Sequence, residues 1–151
     1  MTTIAYKHGV LCADTQITNK GVVCGRCTKV VLLEDGRVAA ASGGLFEVKQ
    51  FFNWLSGLCS QPSFESELAG IVIDNNLVAV EFDKTLIGVT LEVPYWVGGS
   101  GGMLALASLE TGVSTRRAVI VACKLDIYSS EPIDAVYYDY AQKCWSRDEV
   151  T

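Results

Sequence analysis

Thr2 is the first residue whose side chain could carry out chemistry, because it directly follows the initiator methionine. Removal of Met1 would leave threonine as the N-terminal residue. Its hydroxyl could then attack a carbonyl carbon, and its own α-amine, with an ordinary pKa of about 7.7–8.0, could accept the hydroxyl proton near neutral pH. Met-Thr also suits an ordinary first strand, so Thr2 alone does not separate a nucleophile from a structural residue.

Other segments place polar or glycine residues where a catalytic site could use them. In chain order these residues are Asp14, Lys29, Ser100 within the Gly-Gly-Ser-Gly-Gly segment at 98–102, Asp126 and Ser129. Taken singly, Asp14 and Lys29 suit a surface ion pair, and Ser129 suits a turn. The glycine segment could cradle a phosphate, but it lacks the Gly-x-Gly-x-x-Gly spacing and a following Gly-Lys-Ser/Thr, which argues against nucleotide binding.

Taken together and in order, these segments resemble the proteasome β-subunits and the bacterial heat-shock-locus peptidase, which are threonine peptidases of the N-terminal nucleophile (Ntn) hydrolase class. The opening TTIAYKHGVLCADTQIT resembles the start of their mature chains, and the Lys-Val at 29–30 matches the head of their next hairpin. The segments at 99–102 and 126–129 match their glycine-serine loop and their Asp-x-Tyr-Ser element. The matches cover most of the chain.

This resemblance implies a role for each polar residue. Thr2 would be the nucleophile through its hydroxyl and the proton acceptor through its amine. Lys29 would lower the pKa of both groups by its charge, and Asp14 would hold Lys29 as a paired cation. Three residues would hold the amine and a relaying water: Asp126, Ser129 and Ser100.

The resemblance also places an oxyanion-binding site after the second hairpin, formed by backbone N–H groups among Ala41, Ser42 and Gly43. Such preorganised donors contribute roughly 3–4 kcal/mol to transition-state stabilisation. It implies neither a metal nor an organic cofactor. Ser130-Glu131 departs from the glycines that commonly follow the supporting serine, which would loosen the hold on the amine.

The elements that must position these residues follow from local patterns. A hairpin is expected over 2–17 with its turn at His8-Gly9, and another over 29–41 with its turn at 34–36. Apolar residues three or four apart predict a helix from Leu45 to about Leu58. Further expected elements are three strands between 68 and 91, a helix over 103–109, a buried helix over 115–125 capped by Ser114, and a strand over 133–140.

This order of elements predicts the α+β class, with helices covering antiparallel sheets. The resemblance implies a four-layer αββα sandwich, and the length suits a single domain over residues 1–151. Only about ten residues separate Leu58 from Leu68, where the family has a second long helix. The first helical layer should therefore be shortened.

Composition and charge exclude several other classes of function. The net charge is −5 without a basic cluster, which argues against nucleic acid, and no stretch of roughly 18 apolar residues is long enough to span a membrane. The N-terminus lacks the pattern of a secretory signal, which favours the cytoplasm. The six cysteines lie in apolar surroundings and suit reduced thiols.

Cys24 and Cys27 form a C-x-x-C, which raises the alternatives of half a zinc site or a redox pair. No second pair has ligand spacing and the lone His8 lies in a turn, so zinc is disfavoured. Because the pair falls just before Lys29, oxidation there could disturb the site, and this stays a hypothesis.

The function that the resemblance implies is a threonine endopeptidase that hydrolyses peptide bonds through an acyl-enzyme on Thr2. Its relatives suggest a homo-oligomeric ring and an unfoldase ATPase as partners, and compact bacterial or phage versions would suit this length. Two alternatives remain open. One is a catalytically inactive scaffold or binding subunit, and the other is an Ntn amidohydrolase that acts on a small amide.

Overall fold

The computed structural model describes residues 2–149, which form twelve strands and three helices. The elements are β1 (Ile4–Lys7), β2 (Val10–Asp14), β3 (Gln16–Asn19), β4 (Val22–Arg26), β5 (Val30–Leu32), β6 (Val38–Gly43), α1 (Leu45–Leu55), β7 (Leu68–Ile73), β8 (Ala79–Phe82), β9 (Val89–Thr90), β10 (Tyr95–Gly98), α2 (Gly102–Glu110), α3 (Thr115–Leu125), β11 (Ile133–Asp139) and β12 (Cys144–Ser146).

The first sheet, here called the N-terminal sheet, has the order β10-β1-β2-β11-β12 and is antiparallel throughout. The predicted hairpin between β1 and β2 is confirmed. Its turn residues His8 and Gly9 have φ of 52° and 72°, as a two-residue turn with the twist of a hairpin requires. β10 pairs with the other edge of β1, with Ile4 opposite Gly98.

The second strand was expected to run on to Ile17, and this was wrong. β2 ends at Asp14, whose carboxylate accepts a hydrogen bond from the amide of Gln16 at 3.0 Å. Such a local side-chain bond competes with the strand ladder and turns the chain. Residues from Gln16 onward instead pair with β4 in a separate two-stranded sheet, which the sequence analysis did not predict.

The second large sheet, here called the central sheet, has the order β5-β6-β7-β8-β9 and is also antiparallel. The expected β5–β6 hairpin is confirmed, with Gly36 at φ 90° in its turn. The expected run of three strands is confirmed as well, although β8 and β9 are shorter than predicted. β6 is longer than its neighbour β5, so Ala41, Ser42 and Gly43 extend beyond the β5 pairing.

The three helices lie close to their expected positions. α1 ends at Leu55 rather than Leu58, because Gly57 adopts φ 74° just beyond the helix. The predicted cap of α3 is confirmed, since the Ser114 side chain accepts a hydrogen bond from Arg117 N at 3.2 Å. The expectation that α3 is buried between layers was wrong, because only one face is buried, through Ala118, Val119 and Ala122, and both ends carry exposed residues.

Three clusters of buried apolar side chains hold these elements together. One contains residues of both large sheets, such as Ile4 and Leu11 with Val38 and Ile71. The second joins the other face of the N-terminal sheet to α2 and α3, and the third joins the central sheet to α1. The arrangement is therefore a mixed one of helices on antiparallel sheets, as expected for the α+β class. None of the described helices has the length and apolar character needed to cross a membrane.

Candidate active site

Thr2 and Thr3 continue the line of β1 into the interior of the protein. Thr2 is 3% exposed and Thr3 is fully buried. The Thr3 carbonyl accepts a hydrogen bond from Asp14 N at 3.1 Å, which extends the β1–β2 pairing by one residue. The start of the chain is thus held as a strand beside the residue that ends β2.

Asp14 and Lys29 form a buried ion pair. Lys29 Nζ lies 2.9 Å from Asp14 Oδ1, and the side chains are 6% and 0% exposed. Asp14 Oδ1 also accepts from Thr3 N at 3.0 Å, and Oδ2 accepts from Gln16 N at 3.0 Å and Ser130 N at 3.3 Å. A carboxylate removed from water needs this full set of donors. The expected pairing of Asp14 with Lys29 is present in the structure.

A second cluster of polar residues centres on Asp126, directly after α3. Asp126 Oδ2 accepts hydrogen bonds from Ser129 Oγ at 2.6 Å and from Ser100 Oγ at 2.7 Å. Ser129 Oγ also lies 2.7 Å from Thr3 Oγ1, and Ser100 Oγ lies 3.4 Å from the Thr2 carbonyl oxygen. The three residues that were expected to support the nucleophile therefore do lie together, against the Thr2–Thr3 segment.

The glycine-rich segment between β10 and α2 passes directly over the first two threonines. Gly101 N donates to the Thr2 carbonyl at 3.2 Å. A Cβ atom added to Gly99 would overlap the Thr2 carbonyl oxygen, and one added to Gly101 would overlap Thr3 Oγ1. The segment needs glycine because its backbone approaches another backbone closely. It contacts the N-terminal strand, a use other than the phosphate cradle considered as an alternative.

Thr2 lies at the wall of a cavity of about 310 Å³. The other residues that line it are Gln16, Ile17, Thr18, Cys27, Lys29, Ala41, Gly43, Gly44, Leu45 and Val48. Two of the three expected oxyanion residues, Ala41 and Gly43, line this cavity, whereas Ser42 is buried and does not. The pairing of β5 with β6 ends at Ala40. Backbone N–H groups of 41–43 that point towards the β5 side are therefore not hydrogen-bonded to β5.

The roles assigned to these residues stay predictions, although the structure places all of them except Ser42 around the Thr2–Thr3 segment or its cavity. Ser129 and Ser100 contact the Thr3 hydroxyl and the Thr2 carbonyl, respectively. Both serines had been expected to hold the Thr2 amine and a relaying water. Met1, whose removal would free that amine, lies outside the described residues.

The C-x-x-C residues are both free thiols in different surroundings. Cys24 is exposed and its Sγ lies 3.6 Å from the Ile17 carbonyl, whereas Cys27 lines the cavity. Among residues 2–149 no group of three or more His, Cys, Asp or Glu side chains is arranged to hold a metal ion.

Sequence reasoning missed several residues of this site. Thr3 and Thr18 were read only as part of the opening motif, and Gln16 and Ile17 only as the end of a strand. A signal for the β3–β4 hairpin was available in Asn-Lys-Gly at 19–21, where Lys20 and Gly21 have positive φ. Ser130, which was expected to loosen the site, accepts a hydrogen bond from Arg26 Nη1 at 2.6 Å on its hydroxyl.

Comparison of whole structures relates this fold to known proteins. The crystal structure of eukaryotic HslV from Trypanosoma brucei matches with a TM-score of 0.65 and 22% sequence identity, over 89% of this chain and 97% of that chain. The described fold is therefore that of HslV, and the expected resemblance to the proteasome-like family is confirmed at the level of the fold. No protein-family model matches the sequence, and no curated protein sequence matches it.

Proposed function

We propose that this chain is a threonine endopeptidase of the proteasome-like Ntn hydrolase family. The observation that carries the proposal is the position of Thr2, which lines a cavity with Lys29 while Asp14 pairs with Lys29 behind it. An N-terminal threonine needs a nearby cation to lower the pKa of its hydroxyl and amine, and a cleft to receive the substrate. The HslV-like fold supports the same class of reaction.

The proposed reaction begins once Met1 has been removed. The Thr2 hydroxyl attacks the peptide carbonyl while its proton passes to the Thr2 amine, directly or through a water. Backbone N–H groups among 41–43 stabilise the oxyanion. The amine then protonates the leaving peptide amine, and a water molecule hydrolyses the acyl ester to regenerate Thr2. Ser100, Asp126 and Ser129 hold the Thr2–Thr3 segment in place.

The cavity favours an apolar substrate side chain next to the cleaved bond. Its wall contains apolar groups of Ile17, Ala41, Leu45 and Val48. Among the described residues, its titratable side chains are Lys29 and the Cys27 thiol. The apolar groups could bury an apolar side chain of the substrate, whereas a cationic side chain would face the charge of Lys29. The proposed substrates are therefore polypeptides cleaved after apolar residues.

Several broader features belong to the same proposal. The three apolar clusters support a four-layer αββα arrangement within a single domain. The family resemblance suggests a homo-oligomeric ring, an unfoldase ATPase as partner and a cytoplasmic location. A bacterial or phage source also belongs to this proposal.

The test is the intact mass of the purified protein before and after reaction with a peptide epoxyketone that carries leucine at the position next to its reactive group. We expect the mass to show that Met1 has been removed and that one adduct has been gained. Thr2→Ala should show neither the adduct nor peptidase activity. An epoxyketone with lysine at that position should react more slowly, because its charge would face that of Lys29. Retention of Met1, or no adduct on the processed chain, would instead favour the inactive scaffold.

A further inference from the structure

Thr3 lies beside the proposed nucleophile and bonds to groups on both sides of the site. Its amide donates to Asp14 Oδ1 at 3.0 Å, the same oxygen that accepts from Lys29 Nζ. Its carbonyl accepts from Asp14 N at 3.1 Å, and its hydroxyl lies 2.7 Å from Ser129 Oγ. Thr3 thus joins the Asp14–Lys29 pair to the cluster around Asp126.

The direction of the Thr3–Ser129 hydrogen bond follows from counting protons. A hydroxyl carries one hydrogen, and that of Ser129 points to the Asp126 carboxylate at 2.6 Å, which is an acceptor only. The Thr3 hydroxyl must therefore donate to Ser129. The result is an ordered series from Thr3 through Ser129 to Asp126, in which the charge of Asp126 strengthens each bond.

The Thr3 hydroxyl also has little freedom to leave this position. Thr3 is fully buried, and the backbone of Gly101 approaches so closely that a Cβ there would overlap Thr3 Oγ1. Its β-branched side chain is restricted about χ1. Both neighbours of the Thr2–Thr3 peptide, the glycine segment and Ser129, are thus in contact with the same side chain.

We propose that Thr3 is a positioning residue, whose hydroxyl fixes the Thr2 backbone between the Asp14–Lys29 pair and the Ser129–Asp126 pair. This inference rests on the proposed function, since it concerns the reactivity of Thr2. Thr3 itself touches no reacting atom. Loss of its hydroxyl lets the Thr2 segment and Ser129 shift relative to Lys29, and small misplacements of a nucleophile lower its rate sharply.

The test compares the modification of Thr2 by the leucine epoxyketone in the full chain, resolved into a dissociation constant and a maximal rate constant. Thr3→Ala removes the hydroxyl, whereas Thr3→Ser retains it. We expect Thr3→Ala to lower the maximal rate constant about tenfold or more, with the dissociation constant within about twofold, and Thr3→Ser to restore most of the rate.

Thr115 supplies a matched control away from the site. It is 4% exposed, and its hydroxyl donates to the Lys7 carbonyl at 2.9 Å. Thr115→Ala should lower the melting temperature as a lost buried hydrogen bond does, while the rate constant for Thr2 stays within about twofold of wild type. A purely structural role for Thr3 would give this same pattern in Thr3→Ala.

The outcomes separate this inference from the proposed function. If wild type reacts and Thr3→Ala reacts as fast, or if Thr3→Ala and Thr3→Ser are equally slow, the inference is overturned and the proposed function stands. If wild type does not react, both are overturned. Should Thr3→Ala fail to fold, Thr3→Val keeps the side-chain volume and takes its place in the comparison.

Discussion

At the scale of single residues, Asp14 shows how a buried charge is made tolerable. Its side chain is fully buried, and its two oxygens face four donors, namely Lys29 Nζ and three backbone amides. The ion pair alone would not offset the loss of hydration, but the additional hydrogen bonds satisfy the remaining lone pairs. Because every partner is a donor, the position accepts a carboxylate and rejects an amide.

Asp14→Asn should therefore destabilise the protein strongly. Asparagine offers one acceptor oxygen, so its NH₂ group would face two of the donors and the negative charge opposite Lys29 would be lost. We expect a loss of about 3–5 kcal/mol in the free energy of unfolding, measured by urea denaturation.

Asp35 provides the control for this change. Like Asp14, Asp35 pairs with a basic residue, because its Oδ2 lies 2.8 Å from Arg37 Nε. The Asp35 side chain, however, is 54% exposed. Asp35→Asn should cost less than about 1 kcal/mol. Equal losses in the two variants would show that the burial of Asp14 does not carry the energy assigned to it.

At the scale of an element, the segment between β10 and α2 acts through its backbone. β10 ends opposite Ile4, so the chain that follows must cross Thr3 and Thr2 before α2 begins. Glycine permits this close approach, and Gly99 also adopts φ 82°, a conformation that side chains disfavour. Position 99 therefore combines two separate requirements for glycine, one conformational and one steric.

Replacing Gly99 by alanine should expose both requirements. Gly112 has a similar φ of 88° but has no atom within 4 Å of an added Cβ, so Gly112→Ala measures the conformational part alone. We expect Gly112→Ala to cost about 1–2 kcal/mol. Gly99→Ala should cost about 1–3 kcal/mol more, because its Cβ overlaps the Thr2 carbonyl, and should abolish adduct formation at Thr2. Thermal unfolding and intact mass measure the two effects, and equal behaviour of both variants would contradict the steric argument.

At the scale of the whole molecule, titratable side chains buried in two different apolar clusters must stay protonated in the folded state. Burial raises the pKa of the Cys12 thiol from 9.0 to about 12, and that of Tyr6 from 10.0 to about 12. Tyr6 belongs to the cluster between the large sheets, and Cys12 to the cluster beneath α2 and α3. The folded state therefore holds these protons more tightly than the unfolded chain does.

The protein should consequently lose stability in alkaline solution. The contribution of Cys12 is fully present below pH 9, the unfolded value, and is lost as pH rises towards about 12, because the unfolded chain releases its proton first. Within that window each such group lowers the free energy of unfolding by about 1.4 kcal/mol per pH unit. Urea midpoints at pH 8 and pH 10.5 should therefore differ less in Cys12→Ala than in wild type. Cys144→Ala, in which an exposed thiol is removed, should behave like wild type, and an unchanged difference in Cys12→Ala would contradict the assignment.

The sequence by itself determined those features that neighbouring residues specify. His8-Gly9 and Asp35-Gly36 set hairpin turns because glycine can adopt positive φ, and Ser114 set the start of a helix because its side chain accepts an amide at the first turn. The candidate site residues were identified because several short motifs occur in the same order as in the proteasome-like family. The turn and cap signals needed only neighbouring residues, whereas the motif order used most of the chain.

Only the tertiary structure decided which residues meet. Thr3 and Ser129 are 126 positions apart, yet their hydroxyls are hydrogen-bonded, and the cavity beside Thr2 combines residues of the β3–β4 hairpin, β6 and α1. Local propensity cannot specify such contacts, because they form when whole sheets and helices bury their apolar faces against one another. That packing, rather than any motif, places Thr3 between Asp14 and the Ser129–Asp126 pair and puts Thr2 at the wall of a cavity.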